Sequence, residues 1–572
     1  MNPPQGPEGD VALACMRELV AALVASGLTD ACVSPGSRST PLALALARDG
    51  RVRVHVHLDE RAAGFFALGL AKATGRPAAV ACTSGTAAAE LFPAVVEAAM
   101  ARVPLLVLTA DRPPELRGVG ANQTIWQVGL YGRYARWSLD APVPGDRPEP
   151  GHWHGLALEA WARSLRHPPG PVHLNLPFRE PLVPSGPGRE PEGVAAPLAD
   201  AAGPPPPGRE EVEALAELLG SIERGVVLAG SLRQAAPSVV ELARRAGWPL
   251  LAEPTSGLRV PGALEAGQAL LAAERFAAAH GPEAVLQVGA APTSRPALAV
   301  CASVPRLWTL DPDDLVADPH RRAERRLVVD AEALARATLA RVPPREGSAW
   351  LEAWRRADAV ARAAVDGVLD GWSEPSEPRV ARDLAARLPA GSTLVVASSM
   401  PIRDLDLAMR PRTGLRVLGN RGASGIDGFV STALGVAAAG GRVAALSGDL
   451  SFLHDVGSLI WSARRGIDLV LVVPNNDGGA IFSMLPQREL PELEPLFVTP
   501  HGLDLEAVCR AAGAGHALVL QAQDLPAALE RAFAEGGVQV VEVPVERAAT
   551  VRHHEELRAA VAAAVGGGLG AG

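Results

Sequence analysis

Asp449 follows the apolar run Val443–Leu446 in the string Gly448-Asp449-Leu450, and a second apolar run, Leu469–Val473, leads into Asn475-Asn476-Asp477-Gly478-Gly479. A carboxylate at one strand end, with an amide and a backbone carbonyl at the next, supplies half of the shell of about six oxygens that Mg²⁺ takes, the rest coming from water or a phosphate group. On that reading Asp449 is the charged ligand, Asn476 the amide and Gly478 the carbonyl. Glycines let the backbone approach a phosphate closely, and a helix N-terminus beside it favours anions. Gly-Asp and Asn-Asp-Gly are also common turn formers, so either string alone reads equally as a turn.

Other polar strings also follow apolar runs: SPGSRS after Val33, DER after His57, TSGT after Cys82 and ADRPPE after Leu108. In open α/β sheets ligands bind beyond the carboxyl ends of strands, so these are the places to look for chemistry. Glu60 opens a helix just past a strand, which suits either a working acid or favourable placement on the helix dipole. Arg38, Arg112, Arg403, Arg421 and Arg295 lie at loop positions, and a guanidinium offers a planar fork matched to carboxylate oxygens. In so Arg-rich a chain any one of them also reads as a solvated surface charge. His57 and His454 have no triad partner in view.

The elements that hold these strings are short β-branched runs alternating with Ala/Leu-rich helical runs, the pattern of parallel sheets covered by helices on both faces. Candidate strands are 31–33, 52–57, 78–82 and 105–109, then 226–228, 285–288, 307–310 and 327–329, then 394–397, 416–418, 443–446, 469–473 and 538–543. The stretch 429–446 reads as a buried helix followed by a strand. Pro-rich segments at 180–208 and 371–378 divide the chain. The expected fold class is α/β with three domains, 1–180, 209–370 and 379–563, each a mainly parallel sheet flanked by helices. The middle one is Rossmann-like but lacks a G-x-G-x-x-G loop with a downstream acid, so no bound dinucleotide is expected. The final GGGLGAG reads as a frayed tail.

Composition narrows the class. At 572 residues the chain exceeds one ordinary core, and 48% apolar residues leave ample material for buried sheets. A net charge of −9, with no basic run, argues against nucleic acid as a partner. Nearly all basic residues are Arg, and Lys72 is the only lysine. Five scattered cysteines without a C-x-x-C pair fit a reducing compartment, and no membrane span or signal segment is read, so the expected location is the cytoplasm.

The roughly thirty residues that take Gly448 to Asn476 resemble the signature of thiamine-diphosphate-dependent enzymes, with Leu450 where the commonest pattern has Gly. Ordered blocks along the chain resemble one family in particular, the 2-succinyl-5-enolpyruvyl-6-hydroxy-3-cyclohexene-1-carboxylate synthases. They are SPGSRSTPL, DERAAGFFALGLAKATG, TSGTAAAEL, TADRPPELRGVGANQ, NRGASGIDG, GDLSFLHD and NNDGGAIFSMLPQ. The resemblance is essentially full-length and weakest in the middle domain. It implies thiamine diphosphate with Mg²⁺ or Mn²⁺, decarboxylation of 2-oxoglutarate, and conjugate addition of the succinyl carbanion to isochorismate in menaquinone synthesis.

Carried over residue by residue, the resemblance makes Glu60 the acid that hydrogen-bonds the aminopyrimidine ring. Ile426 becomes the bulky side chain that bends the cofactor. Ser399, Gly448, Asp449, Leu450, Ser451 and Asn476 become cofactor contacts. Both substrates are dicarboxylates, which gives the five arginines a role; family members commonly carry Lys at the position of Arg295. Ser37, Asn122 and Gln123 would add neutral hydrogen bonds. Ile481, Phe482 and Leu485 would form an apolar wall, and equally suit a helix-face core. The family arrangement places Glu60 and Asp449 of one site on different subunits, so a homodimer, or a homotetramer built from dimers, is expected. A pyruvate-using thiamine enzyme is the nearest alternative, and a catalytically silent protein of the same fold is another.

Overall fold

The computed structural model describes residues 7–146, 151–186, 203–315, 317–462 and 465–568. Its first sheet contains β1 (Asp30–Val33), β2 (Arg53–Val56), β3 (Ala78–Cys82), β4 (Leu105–Asp111), β5 (Trp137–Asp140) and β6 (Pro171–Pro177), in the order β2-β1-β3-β4-β6-β5. The second contains β7 (Gly225–Ala229), β8 (Leu250–Ala252), β9 (Ala284–Val288), β10 (Arg306–Leu310) and β11 (Ala323–Leu327), ordered β11-β10-β9-β7-β8. The third contains β12 (Ser392–Val396), β13 (Leu415–Gly419), β14 (Val443–Leu446), β15 (Leu469–Asn475), β16 (Gly515–Leu518) and β17 (Val538–Pro544), ordered β13-β12-β14-β15-β17-β16. Every pairing is parallel. The expected α/β class therefore holds, and the third sheet repeats the first strand for strand.

Central strands such as β4 are buried along their whole length, as a parallel sheet covered on both faces requires. In the second sheet the period of two sorts side chains between faces. Val227 and Ala229 join one apolar cluster, whereas Val226 and Leu228 join another with Trp354 and Leu557.

The sequence reading missed β5, β6, β8 and β16. Three of these, β5, β8 and β16, are edge strands. The fourth, β6, is interior, but His173 and Asn175 interrupt its apolar pattern, and Thr109 bonds both of them. Edge strand β11 lies at Ala323–Leu327 rather than 327–329, because its AERRL sequence has no apolar run to detect. The stretch from Phe429 forms the expected helix, Phe429–Ala438, followed by β14.

Contacts divide the chain into two compact units. One is Met1–Gly203 with Asn420–Gly440 and His454–Ile467; the other is Pro204–Gly419 with Gly441–Leu453 and Asp468–Gly572. In the first unit the helix Glu60–Thr74 crosses the helix Phe429–Ala438 at backbone contact. A Cβ on Gly69 would lie 2.2 Å from the Thr432 carbonyl oxygen, and one on Gly435 would lie 2.1 Å from that of Phe66. In the second unit Arg259 is buried and donates to the carbonyls of Ala252 and Met409, each at 2.7 Å, while pairing with Asp406 at 3.0 Å.

Most of the first Pro-rich segment, 187–202, lies outside the described residues. The second separates the helix Ala349–Gly371 from the helix Glu377–Arg387. Of the terminal glycine-rich string, residues 566–568 continue the helix Arg547–Gly568 and 569–572 lie outside the described residues. Among the described residues no helix is long and apolar enough to cross a membrane.

Candidate active site

Asp449 opens a short helix just past β14 and is 2% exposed. Its Oδ1 accepts the Leu450 N–H at 2.6 Å and its Oδ2 the Gly478 N–H at 2.8 Å, so the two strand-end strings meet through this carboxylate. Burial raises its pKa above the usual carboxylate value, against the pull of those two amides. A bound cation would offset that cost. Positive φ at Asp477 (56°) and Gly478 (133°) makes the turn, and a Cβ on Gly478 would meet the Val498 carbonyl oxygen at 2.4 Å.

The Asn476 amide is oriented. Its Nδ2 donates to Glu377 Oε1 at 3.1 Å, and Thr550 Oγ1 donates to the same oxygen at 2.6 Å. Asn476 Oδ1 is left buried without a hydrogen-bond partner. An orphaned oxygen beside a buried carboxylate is the donor set a hard cation needs, so the residues fit Mg²⁺ held jointly with a diphosphate. Among the described residues no three of His, Cys, Asp and Glu gather into a cage of their own. His501 also reaches this place, with Nε2 3.4 Å from Asp449 Oδ2. Sequence reasoning missed Glu377, Thr550 and His501, which lie far from the strings in sequence and carry no spacing signal.

Glu60 is the first residue of its helix, whose cap is the Asp59 carboxylate accepting the Ala62 N–H at 3.2 Å. Capping is thus done by Asp59, and Glu60 is half-buried, its carboxyl accepting its own backbone N–H but no hydrogen bond or ion pair from another residue among the described residues. Burial raises its pKa, and the nearby Asp59 and Glu90 charges add to the rise. A carboxyl that holds its proton more tightly than usual and has nothing to pair with is suited to sharing that proton with a ligand nitrogen. His57, buried beside Phe66, has neither ring nitrogen bonded, and burial lowers its pKa to about 3, so it stays neutral. His454 is exposed and faces Arg61.

Seven other candidates lie in the same unit as Glu60. Arg38 is buried, and its fork donates to the Phe178 carbonyl at 2.9 Å and to Glu180 Oε1 at 2.7 Å, so it already holds a carboxylate. Arg112 is half-buried, donates to Ser84 Oγ, and its pKa is lowered by burial and by the Arg38 charge. Gln123, at φ 55°, donates to the Ser84 carbonyl at 3.0 Å, while Gln127 Oε1 accepts the Gly85 N–H at 2.8 Å. The TSGT turn is therefore a hub between Arg112 and Gln123. Ser37, next to Arg38 in sequence, and Asn122, next to Gln123, are exposed. Arg421 and Ile426, half-buried in the loop after β13, belong to this unit too.

The remaining candidates sit with Asp449 in the second unit. Ser399 takes φ 71° between β12 and the helix Met400–Ala408, and the exposed Arg403 donates to its carbonyl. Gly448 and Leu450 are half-buried and Ser451 is buried. Ile481 and Phe482 lie on the 3₁₀ turn Ala480–Met484 and Leu485 just past it; all three are half-exposed, with Phe482 packed on Phe497. Arg295 is exposed at the start of the helix Arg295–Ser303, beside the second sheet.

Comparison with known proteins matches this geometry. Residues 15–130 match the profile described as "Thiamine pyrophosphate enzyme, N-terminal TPP binding domain", 214–396 "Middle domain of thiamine pyrophosphate", and 406–543 "Thiamine pyrophosphate enzyme, C-terminal TPP binding domain". The chain is 48% identical to the 2-succinyl-5-enolpyruvyl-6-hydroxy-3-cyclohexene-1-carboxylate synthase of Thermobifida fusca, covering 96% of this chain and 99% of that one. This chain belongs to that synthase family. The synthase of Rubrobacter xylanophilus is 44% identical, over 95% of this chain and 97% of its own. The fold extends further than the family: the solved structure of benzoylformate decarboxylase from Polynucleobacter necessarius superposes with a TM-score of 0.72 at 19% identity, covering 93% of this chain and 99% of that one.

Proposed function

We propose that this chain decarboxylates 2-oxoglutarate with thiamine diphosphate and adds the succinyl unit in a conjugate sense to isochorismate, the reaction its family's name describes. The observation that carries the reading is a pair of carboxylates with different surroundings. Glu60 is half-buried without a partner, and Asp449 is buried against Gly478 beside the orphaned Asn476 Oδ1.

Thiamine diphosphate supplies, when bound, the electron sink that takes up the pair left by departing CO₂. Asp449, Asn476 and the Gly478 carbonyl would hold Mg²⁺, or Mn²⁺, against the diphosphate, with Ser399, Gly448, Leu450 and Ser451 lining the same loops. Glu60 holds a proton at its carboxyl and shares it with the aminopyrimidine ring. Ile426 supports the cofactor from one side, and Ile481, Phe482 and Leu485 keep water from the reacting carbon. Arg403 and Arg421 pair with the carboxylates of 2-oxoglutarate. Arg38, Arg112, Arg295, Ser37, Asn122 and Gln123 serve the second substrate. The arginine set favours a dicarboxylate over pyruvate, which has no distal charge to bind.

We further propose the domain boundaries 1–180, 209–370 and 379–563, self-association as a homodimer or a homotetramer, and a cytoplasmic location. Five free cysteines, four of them buried, support a reducing compartment. Incubation with both substrates, cofactor and Mg²⁺ should give CO₂ and one six-membered-ring adduct. CO₂ without adduct, or equal use of pyruvate, would make the chain a different 2-oxoacid enzyme.

A further inference from the structure

Lys72 stands alone as a lysine in a chain whose other basic side chains are all arginine, and it is buried. From the last turn of the helix Glu60–Thr74, its Nζ donates to Glu97 Oε1 at 3.1 Å and to Asn420 Oδ1 at 3.0 Å. Glu97, 2% exposed in the helix Phe92–Met100, also accepts two backbone amides: Gly422 N–H at 3.0 Å on Oε1 and Ala423 N–H at 2.6 Å on Oε2. The loop is tied at its far end as well. Thr432 Oγ1 accepts from Asn420 Nδ2 at 3.0 Å and donates to the Gly428 carbonyl at 2.8 Å. At Gly422 a Cβ would come within 2.7 Å of Ala101 N, so the loop lies directly on the end of the Glu97 helix.

We infer that Lys72 and Glu97 are positioning residues that clamp the Asn420–Gly428 loop, and so set where Arg421 and Ile426 stand. The consequence for catalysis rests on the roles proposed above for those two residues. A buried ion pair is a poor device for stability alone, because desolvation cancels much of the attraction. This one differs in what it satisfies, since one carboxylate accepts from the ammonium and from two loop amides at once. The side-chain type follows from the same geometry. An ammonium is a compact point charge, whereas a guanidinium is a broad planar fork that cannot enter the same space without moving the loop.

The test uses the full-length enzyme with Lys72→Arg, Lys72→Met and Glu97→Gln, and Arg421→Ala as reference. Lys72→Arg keeps the charge, so folding is expected, while a loop displaced by about 1 Å should raise KM for 2-oxoglutarate and lower turnover by on the order of a hundredfold together. Affinity for thiamine diphosphate in Mg²⁺, set by Asp449, should stay near wild type. Hydrogen exchange over 420–428 reports the clamp without any substrate, and should speed up in Lys72→Met and Glu97→Gln. A folded Lys72→Arg with wild-type kinetics, or unchanged exchange in the neutral variants, overturns the inference. If Arg421→Ala leaves KM unchanged while exchange still speeds up, the clamp stands and the role given to Arg421 falls. Should Lys72→Met not fold, Lys72→Arg and Glu97→Gln decide the matter.

Discussion

The first and third sheets thread their six strands in the same order, β2-β1-β3-β4-β6-β5 against β13-β12-β14-β15-β17-β16, and so offer equivalent strand ends. At the point where the order reverses, the first sheet presents SPGSRS and TSGT, with Arg38, Arg112 and Gln123 around Ser84. At the same point the third sheet presents Ser399 and Asp449. One step outward, Glu60 follows β2 where Arg421 and Ile426 follow β13. Topology therefore fixes where a ligand can sit, and the partners of each carboxylate decide what it does there. Asp449 is 2% exposed and accepts two backbone amides, which aim it and offset part of the rise that burial gives its pKa. Glu60 has no partner and a raised pKa, which leaves its proton available.

Glu60→Gln breaks the comparison on the side of the first sheet, with the largest effect. Gln keeps the size and a hydrogen bond to the ring but cannot share a proton, so turnover should fall about a hundredfold to ten-thousandfold with cofactor affinity intact. Deuterium exchange at the cofactor's reactive carbon measures the step, and a wild-type rate in the variant would falsify the assignment. Stability gives an independent reading. Because the folded pKa lies above the ordinary 4.5, ionising Glu60 costs stability as pH rises from that value through the raised one. Glu60→Gln should flatten this part of the stability profile; an unchanged slope would mean that burial does not perturb Glu60.

Asp449→Ala breaks the other side. Removing the one charged ligand should weaken Mg²⁺-dependent retention of thiamine diphosphate by about 3 kcal/mol, more than a hundredfold, as for other truncations of a buried charge contact. Calorimetric titration reads this directly, and Glu60→Gln provides the contrast. If both variants lose cofactor, or neither does, the two carboxylates do not divide the work.

Arg403→Ala and Arg421→Ala sharpen the comparison, because one arginine follows β12 and the other β13. Each should lower the preference for 2-oxoglutarate over pyruvate by about 2–3 kcal/mol, near a hundredfold in specificity. Equal losses with both substrates would indicate damage to the site rather than a missing carboxylate contact.

How much of this was legible in the sequence follows from the physics of each feature. Strands β4, β14 and β15 were readable because strands buried on both faces are continuous apolar runs, and the site strings were readable because they follow such runs. By contrast β6 was hidden by His173 and Asn175, whose polarity is satisfied by residues distant in sequence, Thr109 on a neighbouring strand bonding both and Asp111 and Gln127 bonding Asn175. The repeated strand order was equally invisible, since it depends on β5, β6 and β16. Asp449 and Glu60 could be picked out, but the division of their roles needed their partners. Lys72 stands out in the sequence as the only lysine, but nothing local reveals that Glu97 and Asn420 converge on it.

Glu377 offers the finest test, since the first sheet has no counterpart: Asn476 has an orienting partner, and Glu60 has none to lose. An amide presents an oxygen at one end and hydrogens at the other, so a cation ligand must be kept from turning over. Glu377 Oε1 does this by accepting from Asn476 Nδ2, and Thr550 Oγ1 steadies that oxygen from behind. Glu377→Leu removes the acceptor while keeping the bulk, leaving the amide free to turn its hydrogens toward the cation. Losses of such orienting contacts typically weaken metal affinity about tenfold to a hundredfold. Glu377→Gln retains an acceptor oxygen and should bind Mg²⁺ close to wild type. The measurement is Mg²⁺ titration at saturating thiamine diphosphate, alongside the thermal midpoint of each variant without cofactor. A weaker Leu variant beside a normal Gln variant, at similar midpoints, means orientation; equal affinities in all three proteins would remove Asn476 from the metal shell.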